Sequence, residues 1–153
     1  MNYEIVTLEE KLIAGISART SNHDPNMGAV IGQLWNRFFC EGIYASIPQK
    51  ANEKALGLYT DYAKDETGEY TAVVACEVLS AADSDAFMTR KIPAGRYAKF
   101  VAKGDMRKAV ADAWQEIWKL DLPRKFDCDF EEYQDDSMDN AEIHIYISLL
   151  DEN

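Results

Sequence analysis

The chain has 153 residues, enough for one compact core and too few for two well-stabilised ones. Hydrophobic residues make up 47% and aromatics 11%, with only 8 Gly and 4 Pro, which excludes disordered and collagen-like chains. Against 16 Lys and Arg stand 27 Asp and Glu; a net charge of −11 repels phosphate backbones and disfavours direct nucleic-acid binding.

Lys11 to Arg19, KLIAGISAR, is an apolar run around a glycine that predicts a buried strand ending at Ser21-Asn22-His23-Asp24-Pro25. Asp24 as N-cap and Pro25 at the first helical position then predict a helix that ends near Gly42. Its apolar face is Met27, Val30, Ile31, Leu34, Trp35, Phe38 and Phe39, at three- and four-residue steps. After a loop with Pro48, Ala55–Tyr62 and Glu69–Ser80 predict a hairpin across Lys64-Asp65-Glu66-Thr67-Gly68. In its second strand Ala72, Val74, Cys76 and Val78 take one face and Thr71, Val73, Ala75 and Glu77 the other, so both faces are expected to be covered.

From Ile92 the pattern restarts. Ala14-Gly15-Ile16-Ser17-Ala18 matches Ala94-Gly95-Arg96-Tyr97-Ala98 at an offset of 80 residues, and Trp35 matches Trp114 at 79. The second helix carries Met106, Val110, Ala113, Trp114, Ile117 and Trp118, is capped by Asp105 and stops before Pro123. Strands Phe126–Gln134 and Glu142–Leu149 follow. Each half, about 1–80 and about 87–153, therefore reads strand, helix, strand, strand, and neither buries both its helix and its sheet face alone. The expectation is one α+β domain of duplicated βαββ halves related by a pseudo-twofold. It would have an antiparallel sheet, two helices and a ligand cleft between the halves.

Cys40, Cys76 and Cys128 are odd in number and widely spaced, which argues against disulfides and structural zinc and fits a reducing cytoplasm. No run approaches the ~20 apolar residues of a membrane span, so no membrane partner is expected. His23 and His144 offer little material for metal or triad chemistry, and phosphate-loop, nucleophile-elbow and zinc-helix motifs are missing. No catalytic residue, metal or cofactor is nominated. Cys40 is expected to be inert packing.

Two features carry chemistry. Trp35, Phe38 and Phe39 by periodicity alone describe a core stripe, but duplication would direct Trp35, Trp114 and Trp118 towards one region between the halves. In Phe126-Asp127-Cys128-Asp129-Phe130-Glu131-Glu132-Tyr133, alternation sets Cys128, Phe130 and Glu132 on one face and Asp129, Glu131 and Tyr133 on the other. At least one acid must face inwards. Residues 126–153 hold ten Asp and Glu and no Lys or Arg, so such an acid lacks a partner nearby in sequence. An unpaired buried carboxylate is costly unless a cation arrives from outside. Aromatic walls stabilise that cation by ~0.5–2 kcal/mol per well-placed ring. Asp135, Asp136 and Asp139 read as a solvated face.

The segments IGQLWNRF, GLYTDYAKDETGEYTAVVACEV, IPAGRYAKFVAKG, AWQEIW, FEEY and IHIYISL, in this order, resemble the GyrI-like effector-binding family. That is the small-molecule-binding domain of AraC-type and multidrug-responsive transcription activators, which also occurs in stand-alone proteins such as integron gene-cassette products. The resemblance implies a hydrophobic cleft with a glutamate at its floor that meets lipophilic cations. By the Phe-Glu-x-Tyr strand that acid is Glu131, walled by Tyr133, Trp35, Phe39, Trp114 and Trp118, with Tyr59 and Tyr97 as further candidates. Two departures stand out. The family-like core begins within the first dozen residues, leaving no room for a helix-turn-helix, so a stand-alone member without a DNA-binding domain is expected. Ser148 replaces the proline usual after the last strand's Ile, which is expected to leave that strand's edge less protected.

Three readings follow. The first is non-enzymatic binding of lipophilic cationic small molecules by a sensor or sequestering protein. The second is inhibition of DNA gyrase or another DNA-handling enzyme through an acidic protein–protein contact. The third is small-molecule hydrolysis with Glu131 and Tyr133 as acid–base pair. A protein partner or homodimer stays open.

Overall fold

Alternating apolar residues in the strands and two helices with wide apolar faces settle into one antiparallel sheet that carries the helices on a single face. The computed structural model describes residues 2–150 apart from Glu66, Asp83 and Asp136. The elements in chain order are β1 (Glu4–Leu8), β2 (Lys11–Ser21), α1 (Met27–Cys40), α2 (Ile43–Ser46), β3 (Lys50–Thr60), β4 (Glu69–Val78), β5 (Met88–Ile92), β6 (Gly95–Gly104), α3 (Met106–Lys119), β7 (Cys128–Tyr133) and β8 (Ala141–Ser148). The eight strands run β1-β6-β8-β7-β3-β4-β2-β5. Read from the other end, that order is the same with the halves exchanged, so the pseudo-twofold passes between β3 and β7.

Sequence reasoning missed β1 and β5, and they are what lock the halves together. Each pairs with the long strand of the opposite half: Glu4 faces Lys99 and Leu8 faces Gly95, just as Met88 faces Gly15 and Ile92 faces Lys11. A five-residue strand whose partner lies in the other half leaves little local signal. The ladders also correct the internal alignment, because Gly95 stands where Lys11 does rather than where Gly15 does. The helices keep theirs, with Trp35 and Trp114 each ninth in a 14-residue helix.

Gly15 is required for a different reason. A Cβ there would lie 2.1 Å from the Val74 carbonyl oxygen and 2.7 Å from Ala75 Cβ, so β2 and β4 approach too closely for any side chain. Gly15→Ala is expected to cost about 1–3 kcal/mol by overpacking. A urea midpoint equal to that of the unmodified protein would show that the strands separate freely.

Helix starts follow their caps. Asp105 Oδ1 accepts from the Lys108 N–H at 3.0 Å, as expected. Asp24 instead closes a turn, its Oδ1 accepting from the Asn26 N–H at 2.8 Å, and α1 starts at Met27 with Asn26 as an N-cap that makes no side-chain bond. The short helix α2 falls in the stretch read as loop. Of the residues discussed from sequence, Glu66 and Asp136 lie outside the described ones.

Strand alternation divides the core. On the helix face, α1 packs on Ala14, Ile16, Ala72, Val74 and Cys76, while α3 packs on Ala98, Phe100, Ile143, Ile145 and Ile147. The opposite face of the sheet encloses Ile13, Leu56, Leu58, Val73, Ala75, Phe130 and Tyr146. Both faces of β4 are therefore covered, as its sequence suggests. Tyr97 belongs to this opposite face and is buried, with its hydroxyl donating to the Pro93 carbonyl at 2.7 Å. It has no place among the cleft walls, because the neighbours Ala98 and Phe100 fix the parity of β6 the other way.

Two further expectations change. Cys40 is exposed at the end of α1, not packed. Ser148 ends an interior strand, since β8 lies between β6 and β7, so no edge is left open there. No helix among the described residues is long and apolar enough to cross a membrane.

Candidate functional site: an aromatic cleft over a buried glutamate

Helix α1 rests on β2 and β4, and α3 on β6 and β8. The central pair β3–β7 is thereby left as the floor of a cleft of about 1350 Å³, above the ~300–1,000 Å³ of ordinary ligand pockets. The apolar face of each helix splits in two. Leu34 and Phe38 of α1, like Ala113 and Ile117 of α3, point into the sheet and are buried. Met27, Ile31, Trp35 and Phe39 form a second stripe at four-residue steps that lines the cleft, and Met106, Val110, Trp114 and Trp118 form its counterpart.

Each deep tryptophan reaches across the pseudo-twofold to a tyrosine of the other half. Trp35 stands edge-on to Tyr133 with centroids 5.0 Å apart, and Trp114 edge-on to Tyr59 at 5.5 Å. Such perpendicular pairs suit the ring quadrupoles and hold the indoles in place. Phe39 and Trp118, each 47% exposed, flank them at the mouth, 6.1 Å from Trp35 and 6.2 Å from Trp114.

The symmetry breaks at the floor, where Glu131 faces Gly57 across β7 and β3. Glu131 is 1% exposed. Its Oε2 accepts from Trp114 Nε1 at 2.7 Å and from the Tyr59 hydroxyl at 3.0 Å, and its Oε1 accepts from the Tyr133 hydroxyl at 2.8 Å. A Cβ at residue 57 would lie 3.1 Å from Oε1 and 3.3 Å from Trp35 Cζ2, so the glycine leaves the space that carboxylate and indole occupy. All three donors are neutral, and among the described residues no Lys, Arg or His pairs with this carboxylate. Burial pushes the Glu131 carboxyl above its ordinary range, while the bonds from Trp114, Tyr133 and Tyr59 pull part of the way back. The Tyr59 and Tyr133 hydroxyls are pushed well above theirs, by burial first and then by the neighbouring Glu131 charge.

Asp129, one alternation earlier on β7, is a second buried acid with 0% exposure. No Lys or Arg follows Phe126 in the sequence. The partner stands just before, with Arg124 Nη2 lying 2.7 Å from Asp129 Oδ2. The Tyr62 hydroxyl donates to the same oxygen at 2.7 Å. Ser148 gives Oδ1 both its N–H at 2.8 Å and its hydroxyl at 3.0 Å. A proline at 148 has no N–H to donate there, so the serine is tied to the buried acid rather than to an edge.

Seven of the eight residues proposed from sequence thus meet around one cleft, and Tyr97 does not. Missed were Met27, Ile31, Met106 and Val110, whose signal was the excess width of the helices' apolar arcs, and Tyr62, Tyr70 and Arg124, which lie in loops or on β4 and carried none.

Comparison with curated protein sequences gave no match. Among solved structures, an integron cassette protein from the mobile metagenome of Vibrio cholerae is 29% identical, with a TM-score of 0.74 over 95% of each chain. SAV2435 bound to tetraphenylphosphonium is 23% identical, with a TM-score of 0.79 over 96% of this chain and 93% of that one. The EcmrR C-terminal domain is 16% identical at a TM-score of 0.54, covering 98% and 100%. At those identities the last two show a shared fold. Residues 4–149 match the family Cass2, described as integron-associated effector binding protein. The duplicated halves, the cleft between them and that match over nearly the whole chain lead to one assignment: the chain belongs to the Cass2 family of integron-associated effector-binding proteins.

Proposed function

We propose that the cleft binds bulky lipophilic cations without turning them over, and that the protein acts as a sensor or sequestering protein for such compounds. The observation that carries this reading is Glu131: a carboxylate sealed at the floor of an aromatic cleft, held by neutral donors and without a cationic partner among the described residues. A ligand cation supplies the missing charge, and the faces of Trp35 and Trp114 add attraction that neutral compounds gain only as apolar contact. SAV2435, of the same fold, carries tetraphenylphosphonium, a cation of this chemical class. Glu131, Tyr133, Tyr59, Trp35 and Trp114 are assigned to the binding site, with Phe39 and Trp118 at its mouth.

Titration with tetraphenylphosphonium, followed by tryptophan fluorescence, tests the reading. Saturable quenching is expected, and a linear response without saturation would overturn it.

The pH dependence has a definite sign. The raised pKa of Glu131 carries its protonated form to higher pH than an ordinary carboxyl's, and only the ionised form pairs with a cation. Affinity for a permanent cation therefore rises with pH until Glu131 is fully ionised and then levels off, with proton release on binding below that point. Calorimetry in two buffers of different ionisation enthalpy measures the release. An affinity independent of pH together with zero proton release would remove Glu131 from the binding step.

A further inference from the structure

Arg124 at the end of the cleft is the feature that cation binding leaves unused. It lines the cleft with a side chain only 7% exposed, and its guanidinium lies 4.3 Å over the Phe126 ring. Nη2 is bonded to Asp129 Oδ2, while Nε is buried without a partner among the described residues. Asp129 itself is saturated: Ser148 N–H and Oγ–H occupy Oδ1, and Arg124 and the Tyr62 hydroxyl occupy Oδ2. It therefore has nothing left to offer a cation. At this end the cleft is lined by a guanidinium, fixed in place by stacking on Phe126 and by the ion pair, that carries a buried N–H without an acceptor among the described residues.

We infer that the cleft is bipolar: Glu131 holds the cationic centre of a ligand, and Arg124 reads a hydrogen-bond acceptor oxygen on the same molecule. The ligand class is thus an amphipathic cation that carries a carbonyl or similar oxygen on a short arm. Asp129 and Glu131 are two residues apart on β7, which places the two subsites about 7 Å apart along the strand. An arm of four or five atoms spans that distance. The inference rests on the cation reading above.

The test compares pentyltriphenylphosphonium with 4-oxopentyltriphenylphosphonium, which share cation and chain length and differ by one ketone oxygen. Binding is measured by calorimetry to the unmodified protein, to Arg124→Lys and to the double variant Arg124→Met/Asp129→Asn. Removing both partners of the pair avoids stranding one buried charge. Arg124→Lys keeps a charge for Asp129 and removes the planar fork. The unmodified protein is expected to bind the ketone at least threefold more tightly. Both variants are expected to bind the pentyl compound at least as tightly as the less apolar ketone. The same order of affinity in all three proteins, or a preference of the unmodified protein for the pentyl chain, would overturn the Arg124 subsite and leave cation binding standing. If neither compound nor tetraphenylphosphonium binds, the cation reading falls and this one with it. Should the double variant fail to fold, the unmodified protein and Arg124→Lys still decide.

Discussion

Glu131→Gln is expected to weaken methyltriphenylphosphonium at least tenfold at neutral pH and to move its uncharged isostere 1,1,1-triphenylethane by less than twofold. The substitution keeps the shape of the site. The amide oxygen can still accept from Trp114 Nε1 and the Tyr59 hydroxyl, and the Tyr133 hydroxyl can turn to accept from the amide nitrogen in place of Oε1. What disappears is a charge about 4 Å from the ligand's, worth about 4 kcal/mol at an effective dielectric constant of 20, less any solvation the carboxylate still loses when the ligand enters. A tenfold change corresponds to about 1.4 kcal/mol and is the lower bound of that difference. Equal losses for the two compounds would mean that the cleft selects by shape and apolar area alone.

The same variant is expected to be the more stable protein when no ligand is present. Glu131 has a folded pKa above its ordinary value, so the folded state binds more protons than the unfolded one. Its contribution to stability is full below the ordinary carboxyl pKa and is lost as pH rises towards the folded value. Glutamine lacks this loss. The melting temperature of Glu131→Gln should therefore exceed that of the unmodified protein at neutral pH, and the gap should close in acid. A gap that widens in acid would contradict the burial argument.

Arg124→Met carries the second large effect, about 3–5 kcal/mol of stability, the range for stripping the partner from a buried charge. Asp129 is fully enclosed and would keep only neutral donors from Tyr62 and Ser148. The double variant Arg124→Met/Asp129→Asn should recover most of that loss, because the ion pair as a unit contributes little beyond its mutual neutralisation. Urea unfolding of the two single variants and the double variant gives the coupling directly. Additive losses would show that Arg124 matters through its packing on Phe126 and not through Asp129.

The buried acids also show how far a sequence can be read. Alternation along β7 put Asp129 and Glu131 on one face, and the absence of Lys and Arg after Phe126 left both without partners. Only one of them lacks a counter-ion. The difference lies in the turn before β7, where Phe126 has φ 55° and the chain brings Arg124 back onto Asp129. Nothing in residue types or spacing encodes that return.

The helices are a parallel case. Periodicity gave an apolar face for each, with Leu34 and Trp35, or Ala113 and Trp114, as neighbours on it. An arc of that width needs more covering surface than one sheet offers. In the folded protein the half of it over the strands became core, and the half towards the pseudo-twofold became the cleft wall.

Local physics thus determined, from the amino-acid order alone, which residues alternate, where α3 is capped and which strand carries the acids, since each depends on neighbours within a turn or a strand. Tertiary structure alone decided the exchange of β1 and β5 between halves, the exclusion of Tyr97 from the cleft, the Gly57 space opposite Glu131 and the pairing of Arg124 with Asp129. Those features join residues far apart in the chain or set a side chain's direction by the register of a distant partner. That information exists only once the sheet has closed.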